Sequence, residues 1–154
     1  MTADEGTLRD QLGAQLARHY PAWGAGNLTV AGAGLNFLVF RAETAAFGVV
    51  AVRVPWTRIL VNDNDGTLDT RDLLVQEATI TAHARACGIP SPAIHALHLG
   101  DDGADFLVSD FVEQDHSPPR AEDFGRLVRA IHACPAPDLP LIEQAGLPLH
   151  ERIA

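Results

Sequence analysis

The chain changes its hydrophobic rhythm several times. Leu8, Leu12, Leu16 and Tyr20 recur every fourth position, which predicts one amphipathic helix over 7–20. "PAWGAGN" at 21–27 breaks that pattern. "LTVAGAGLNFLVFRAETAAFGVVAVRVP" follows and reads as three strands, about 28–32, 36–43 and 48–55. Their connections are short, so neighbours should be antiparallel. Residues 57–69 read as irregular, with "NDNDGT" as a polar loop.

A helical pattern resumes over 70–86 and stops at Gly88, with Pro90 just beyond. Its predicted buried stripe is Leu73, Ile80 and Ala84. "AIHALHL" and "ADFLVSDF" predict a second hairpin around "GDDG". "EQDHSPP" reads as a linker. Ser117 is the expected cap of a helix opening with Pro118 and Pro119. That helix should turn Phe124, Leu127 or Val128, and Ile131 inward. The last twenty residues hold four prolines and no core pattern, and the sequence has no internal repeat. The sum is an α+β fold, five mostly antiparallel strands with an inserted helix.

Composition narrows the chemistry. With 154 residues, 47% apolar and 20% charged, one soluble globular domain is expected. A formal net charge of −9 argues against nucleic acid or an anionic membrane as main partner. All eleven basic residues are Arg, so Lys-dependent phosphate loops and Schiff-base chemistry are excluded. Cys87 and Cys134 lack a paired spacing and read as free thiols in a reducing compartment. The acidic, polar N-terminus is no secretory signal, and no apolar run reaches membrane-spanning length. A cytoplasmic location is expected.

Two charges stand where apolar residues belong. Arg53 lies inside the strand "GVVAVRVP", and Glu77 lies four after Leu73 and three before Ile80 on the packed face of the next helix. Buried alone, either would cost several kcal/mol; together they offset one another. Alternatively, each reaches water along its own stem. Upstream, Gly32 and Gly34 in "AGAGLN" offer backbone amides for close approach by phosphate, or simply make a hairpin turn. A dinucleotide-binding fingerprint fails, because Phe37 occupies the third glycine position and the loop runs into a strand.

The ordered set resembles the N-terminal lobe of the protein-kinase-like fold, and in detail the aminoglycoside phosphotransferase family. "GLNFLVFRA" is similar to that family's nucleotide loop and second strand, and "VAVRVP" to its third strand. "LLVQEATITAHARACGIPSP" is similar to its helix and exit, and "ADFLVSDFVEQ" to its fifth strand and hinge. "DFGRLVRAIHACP" is similar to the helix ending in Leu/Ile-His, and the resemblance covers roughly residues 27–137. It implies a nucleotide lobe over 1–113, then a linker and the first helical part of a second lobe over 114–154.

It further implies ATP or GTP with Mg²⁺ in the complete enzyme and a small-molecule hydroxyl as acceptor. Gly32, Gly34 and Asn36 would cover the phosphates, and Arg53, oriented by Glu77, would hold the α- and β-phosphates. The backbone of Asp110 and Val112 would meet the adenine edge, and Ser109 would line its pocket. Arg53 departs from the lysine of protein kinases; its fork geometry differs from a point ammonium.

The family's catalytic loop has the form His-x-Asp followed by Asn. No such triplet follows at His83, His95, His98, His116, His132 or His150, and "LHERI" at 149–153 lacks the acid. The chain is therefore expected to be inactive alone, a truncated product, a split half or a stand-alone module, with no catalytic or metal residue of its own. The apolar face of helix 121–133 would lack cover and could drive self-association. A non-catalytic nucleotide-binding module and a plain interaction domain are the rival readings. His83 and Cys87, four apart on a helix, form a two-ligand pair that usually is structural. His95 and His98, three apart on a strand, should face opposite sides.

Overall fold

The computed structural model describes residues 4–62, 66–101, 103–118 and 120–137. The predictions that rest on Pro119, on residues 63–65 and on 138–154 lie outside these residues. The described fold is α+β, with a five-stranded antiparallel sheet and three α-helices.

Helix α1, Glu5–His19, is started by Asp4, whose carboxylate accepts from the Thr7 amide at 3.1 Å and its hydroxyl at 2.6 Å. Leu8, Leu12 and Leu16 form its buried stripe, as the four-residue spacing predicts. Strands β1 (Gly26–Ala33), β2 (Phe37–Thr44) and β3 (Gly48–Pro55) form a meander, and β3 has the bounds read from the sequence. Helix α2, Thr70–Ala86, also matches its expected range. It ends as expected: Gly88, at φ +78°, donates to the Arg85 carbonyl, and Ile89 donates to that of Ala84.

The described residues of the 57–69 stretch, 57–62 and 66–69, are not irregular. They hold a separate hairpin, here β4 (Ile59–Asn62) and β5 (Gly66–Asp69), which pairs Leu60 with Leu68. Four-residue strands in an Asn/Asp-rich context carry too short an alternation to stand out. The Thr70 hydroxyl ties the hairpin's base to α2, reaching the Thr57 and Arg58 carbonyls at 3.0 Å each.

Strands β6 (Ile94–His98) and β7 (Phe106–Asp110) complete the sheet, in order β1-β2-β3-β7-β6. Every pairing in it is antiparallel. The leucines of α1 cover one face, packing with Leu38, Phe40, Val50, Val52, Val54, Phe106 and Val108. On that side Gly103 closes against Gln15, since a Cβ there would stand 2.5 Å from the amide nitrogen. A register shift between Ile94 and Ala96 breaks the alternation of β6. His95 stacks on Phe47 and His98 on Phe106, and Trp23 and Tyr20 link the two stacks into one run of ring contacts. The expected opposite placement of the two imidazoles does not hold.

Two helical expectations also need correction. The α2 stripe of Leu73, Ile80 and Ala84 is not buried; only Thr70 and Leu74 are, and Ile80 is 40% exposed. The helix is anchored at its first turn instead. Arg71 forms a two-pronged pair with Asp105, at 3.1 and 2.9 Å, and also donates to the Gly100 carbonyl at 2.7 Å. The Asp105 side chain is only 5% exposed. Helix α3, Ala121–Ala133, is not capped by Ser117. The Ser117 amide donates to Asp115 in a local turn, and Arg120 holds the cap position. No α3 residue is buried, and Phe124, Leu127 and Ile131 are exposed.

Removing Arg71 leaves a nearly buried carboxylate without its cation. Arg71→Ala should therefore cost about 3 kcal/mol in urea unfolding, whereas Ile80→Ala should cost less than about 1 kcal/mol. The reverse ranking would mean that α2 is held by its apolar stripe after all.

Candidate functional site

Antiparallel register decides what faces what on the sheet's second face. Directly paired residues share a face, so Gly32, Val39, Arg53, Leu107 and Leu97 form one row across all five strands. Arg41, Ala51 and Ser109 form the neighbouring row. In β3 the side chains of Val50, Val52 and Val54 go to the α1 face, leaving Arg53 half-buried on the other.

There it meets α2. The Arg53 guanidinium donates to Glu77 Oε2 at 2.9 Å. Side-chain exposures of 40% and 35% make the pair half-wet, so its worth to stability is at most about 1 kcal/mol. The guanidinium also lies over the Phe37 ring, 5.5 Å from its centroid. One neighbour fixes the head laterally and the other supports its plane. A cation held in this way is oriented while keeping donors for a further anion.

Beside this row runs an open groove of about 610 Å³. Its walls include Gly32, Val39 and Arg41 on the sheet, and Val112, Glu113 and His116 on the segment after β7. A Cβ built on Gly32 meets nothing within 4 Å, so packing inside the chain does not demand glycine there. Val112 is 72% exposed at the opposite wall.

The other expected site residues are placed differently. Ser109 sits on the same face, paired with Ala51, and its hydroxyl donates to the Asp110 carbonyl at 3.3 Å. Gly34 does not offer its amide, which donates to the Phe37 carbonyl at 2.8 Å and closes the hairpin. Trp56 straps the same turn down. Its indole donates to the Gly34 carbonyl at 3.0 Å and its amide to the Asn36 carbonyl at 3.1 Å. Only Leu35 projects, 94% exposed, at the tip. The Asp110 amide is likewise engaged, donating to the Ala93 carbonyl at 2.9 Å. The structure thus brings Gly32 and Val112 to one groove and Arg53 and Glu77 beside it, while the amides of Gly34 and Asp110 serve the fold.

Arg41 is the groove residue that sequence reasoning missed. It pairs with Glu43 at 3.0 Å and lies 6.0 Å from the Phe111 ring centroid. Its signal was available: Arg41 and Arg53 both interrupt apolar strands on positions of one parity.

The Asp110 carboxylate accepts from the Ala93 amide and from His95, each at 2.8 Å. These two contacts, the Ala93 amide first, hold it below its ordinary value of 3.8. A lowered native pKa means stability gained above the ordinary value and lost as pH falls toward the native one. Asp110→Asn should cost about 1 kcal/mol or less at pH 7, given a half-exposed carboxylate. The gap from the parent should close below pH 3.8 in urea titrations. A gap that persists there would show that charge is not what Asp110 contributes.

No family model matches this chain, and no curated protein or solved structure matches it either.

Proposed function

We propose that this chain is the nucleotide-holding lobe of an ATP- or GTP-dependent small-molecule phosphotransferase. The observation that carries the reading is the 2.9 Å pair between Arg53 and Glu77, set beside the groove that Gly32 and Val112 line. Supporting it are the order of the elements and the helix inserted between β3 and the last two strands. The groove also has the size of a small-molecule site.

The chemistry assigned to these residues is binding and orientation. Arg53, braced by Glu77 and Phe37, holds phosphate oxygens, and its fork suits two of them at once. Gly32 lets the anion approach the backbone without a side chain in the way. Val39 and Val112 face the flat side of a base. In a chain of net charge −9, this anion site works only as a local basic pocket. Phosphoryl transfer further needs carboxylates for Mg²⁺ and a group that orients the acceptor hydroxyl. We assign neither to this chain, whose sequence contains no His-x-Asp triplet.

Thermal unfolding with millimolar Mg-ATP or Mg-GTP tests the reading. The parent should be stabilised, and Arg53→Ala should weaken the apparent affinity about tenfold, or about 1.4 kcal/mol. Glu77→Gln should weaken it less, because the cation remains. Arg126→Ala, a surface control, should leave it unchanged. Phosphate release by the chain alone should stay at the buffer level. The reading fails if neither nucleotide shifts the parent's melting temperature, and it fails in its division of labour if the chain alone turns over.

A further inference from the structure

Three metal-ligating side chains outside the groove converge between two helices. His83 and Cys87 are one turn apart near the end of α2, and Cys87 Sγ lies 3.6 Å from His83 Nε2. Cys134, at the C-cap of α3, supplies the third. One donor atom from each of the three lies within 4.8 Å of the other two. The sequence shows the helical pair alone; only the fold adds Cys134.

We propose that His83, Cys87 and Cys134 bind a borderline-soft divalent cation of the zinc type, clamping the end of α2 to the end of α3. The site does not depend on what the groove binds.

The distances and the donor set carry this assignment. Tetrahedral zinc holds thiolate sulfur at about 2.3 Å and imidazole nitrogen at about 2.0–2.1 Å, which sets their mutual edge near 3.6 Å. The 3.6 Å between Cys87 and His83 already equals that edge. Two thiols and an imidazole, with no carboxylate among them, suit zinc and disfavour calcium or magnesium. Without metal, His83 Nε2 carries a proton, because the Pro135 carbonyl 2.7 Å away can only accept. On loading, the neutral imidazole shifts that proton to Nδ1 and turns its Nε2 lone pair to the cation. Each thiol releases its proton to solvent, so two protons leave per metal and no electrons move. The Pro135 carbonyl, 3.6 Å from Cys134 Sγ, or a water completes the fourth position.

Anaerobic titration of the reduced full chain with Co²⁺, followed by Zn²⁺, tests the proposal. Expected are one equivalent bound, a thiolate-to-cobalt charge-transfer band, intense visible bands of tetrahedral cobalt, and loss of all three on adding zinc. Two protons should appear per metal in weak buffer. His83→Gln, Cys87→Ser and Cys134→Ser should each weaken binding by at least about 100-fold, the upper end of what losing an outer-shell group costs. Circular dichroism should show these surface variants folded, and zinc should raise the melting temperature of the parent but not of Cys134→Ser. A missing charge-transfer band would overturn the proposal, as would one that survives Cys134→Ser. So would a Cys87–Cys134 disulfide that forms in air equally fast with zinc present.

Discussion

The nearly buried carboxylate of Asp105 sets the position of α2, and much of the second sheet face follows from it. Asp105 lies just before β7 and takes both prongs of Arg71, while the Gly100 amide donates to the same carboxylate at 3.1 Å. The pair joins the first turn of α2 to the loop between β6 and β7. A carboxylate shielded this well tolerates few other arrangements, because moving the helix would strand it without a cation. The direction in which α2 leaves that anchor carries Glu77 to Arg53 at 2.9 Å.

The two faces of the sheet solve different problems. Against α1, leucines and valines make most of the contact, with Gln15 the buried polar residue of the helix, and hydrophobic burial dominates. On the other face, α2 buries only Thr70 and Leu74, so directional polar contacts do more of the positioning. Such contacts define a geometry while contributing modestly to stability. A face held in that way keeps charged groups accessible beside a groove, which a fully packed apolar face could not do.

The legible parts of the fold were those with local signals. Four-residue leucine spacing marked α1, the run from Gly48 to Pro55 marked β3, and Gly88 with Pro90 marked the end of α2. The meeting of Arg53 and Glu77 was read from two charges at apolar positions, although both side chains are half-exposed and neither depends on the other to avoid an unpaired buried charge. Contacts between distant segments left no such trace. Arg71 and Asp105 each look like ordinary surface charges, and nothing local joins Cys134 to the His83–Cys87 pair. The Gly34 amide looked free because the sequence does not show that a two-residue turn would fold it onto Phe37. Ser117 failed as a cap because the helix begins further on, at Ala121, with Arg120 in the cap position.

These contacts make α2 the element that the molecule's polar clusters share. Along its length it carries Arg71 to Asp105, Glu77 to Arg53, and His83 with Cys87 beside Cys134. The first contact is well shielded, the second half-wet, the third at the surface. The first ion pair should resist displacement more than the second, since solvent screening weakens the more exposed attraction. An anion reaching Arg53 would use the guanidinium donors that Glu77 leaves free, whereas a cation at the helix's end would add a tether. The two ligands would act on one rigid helix from opposite signs of charge, and any coupling between them must be equal in both directions.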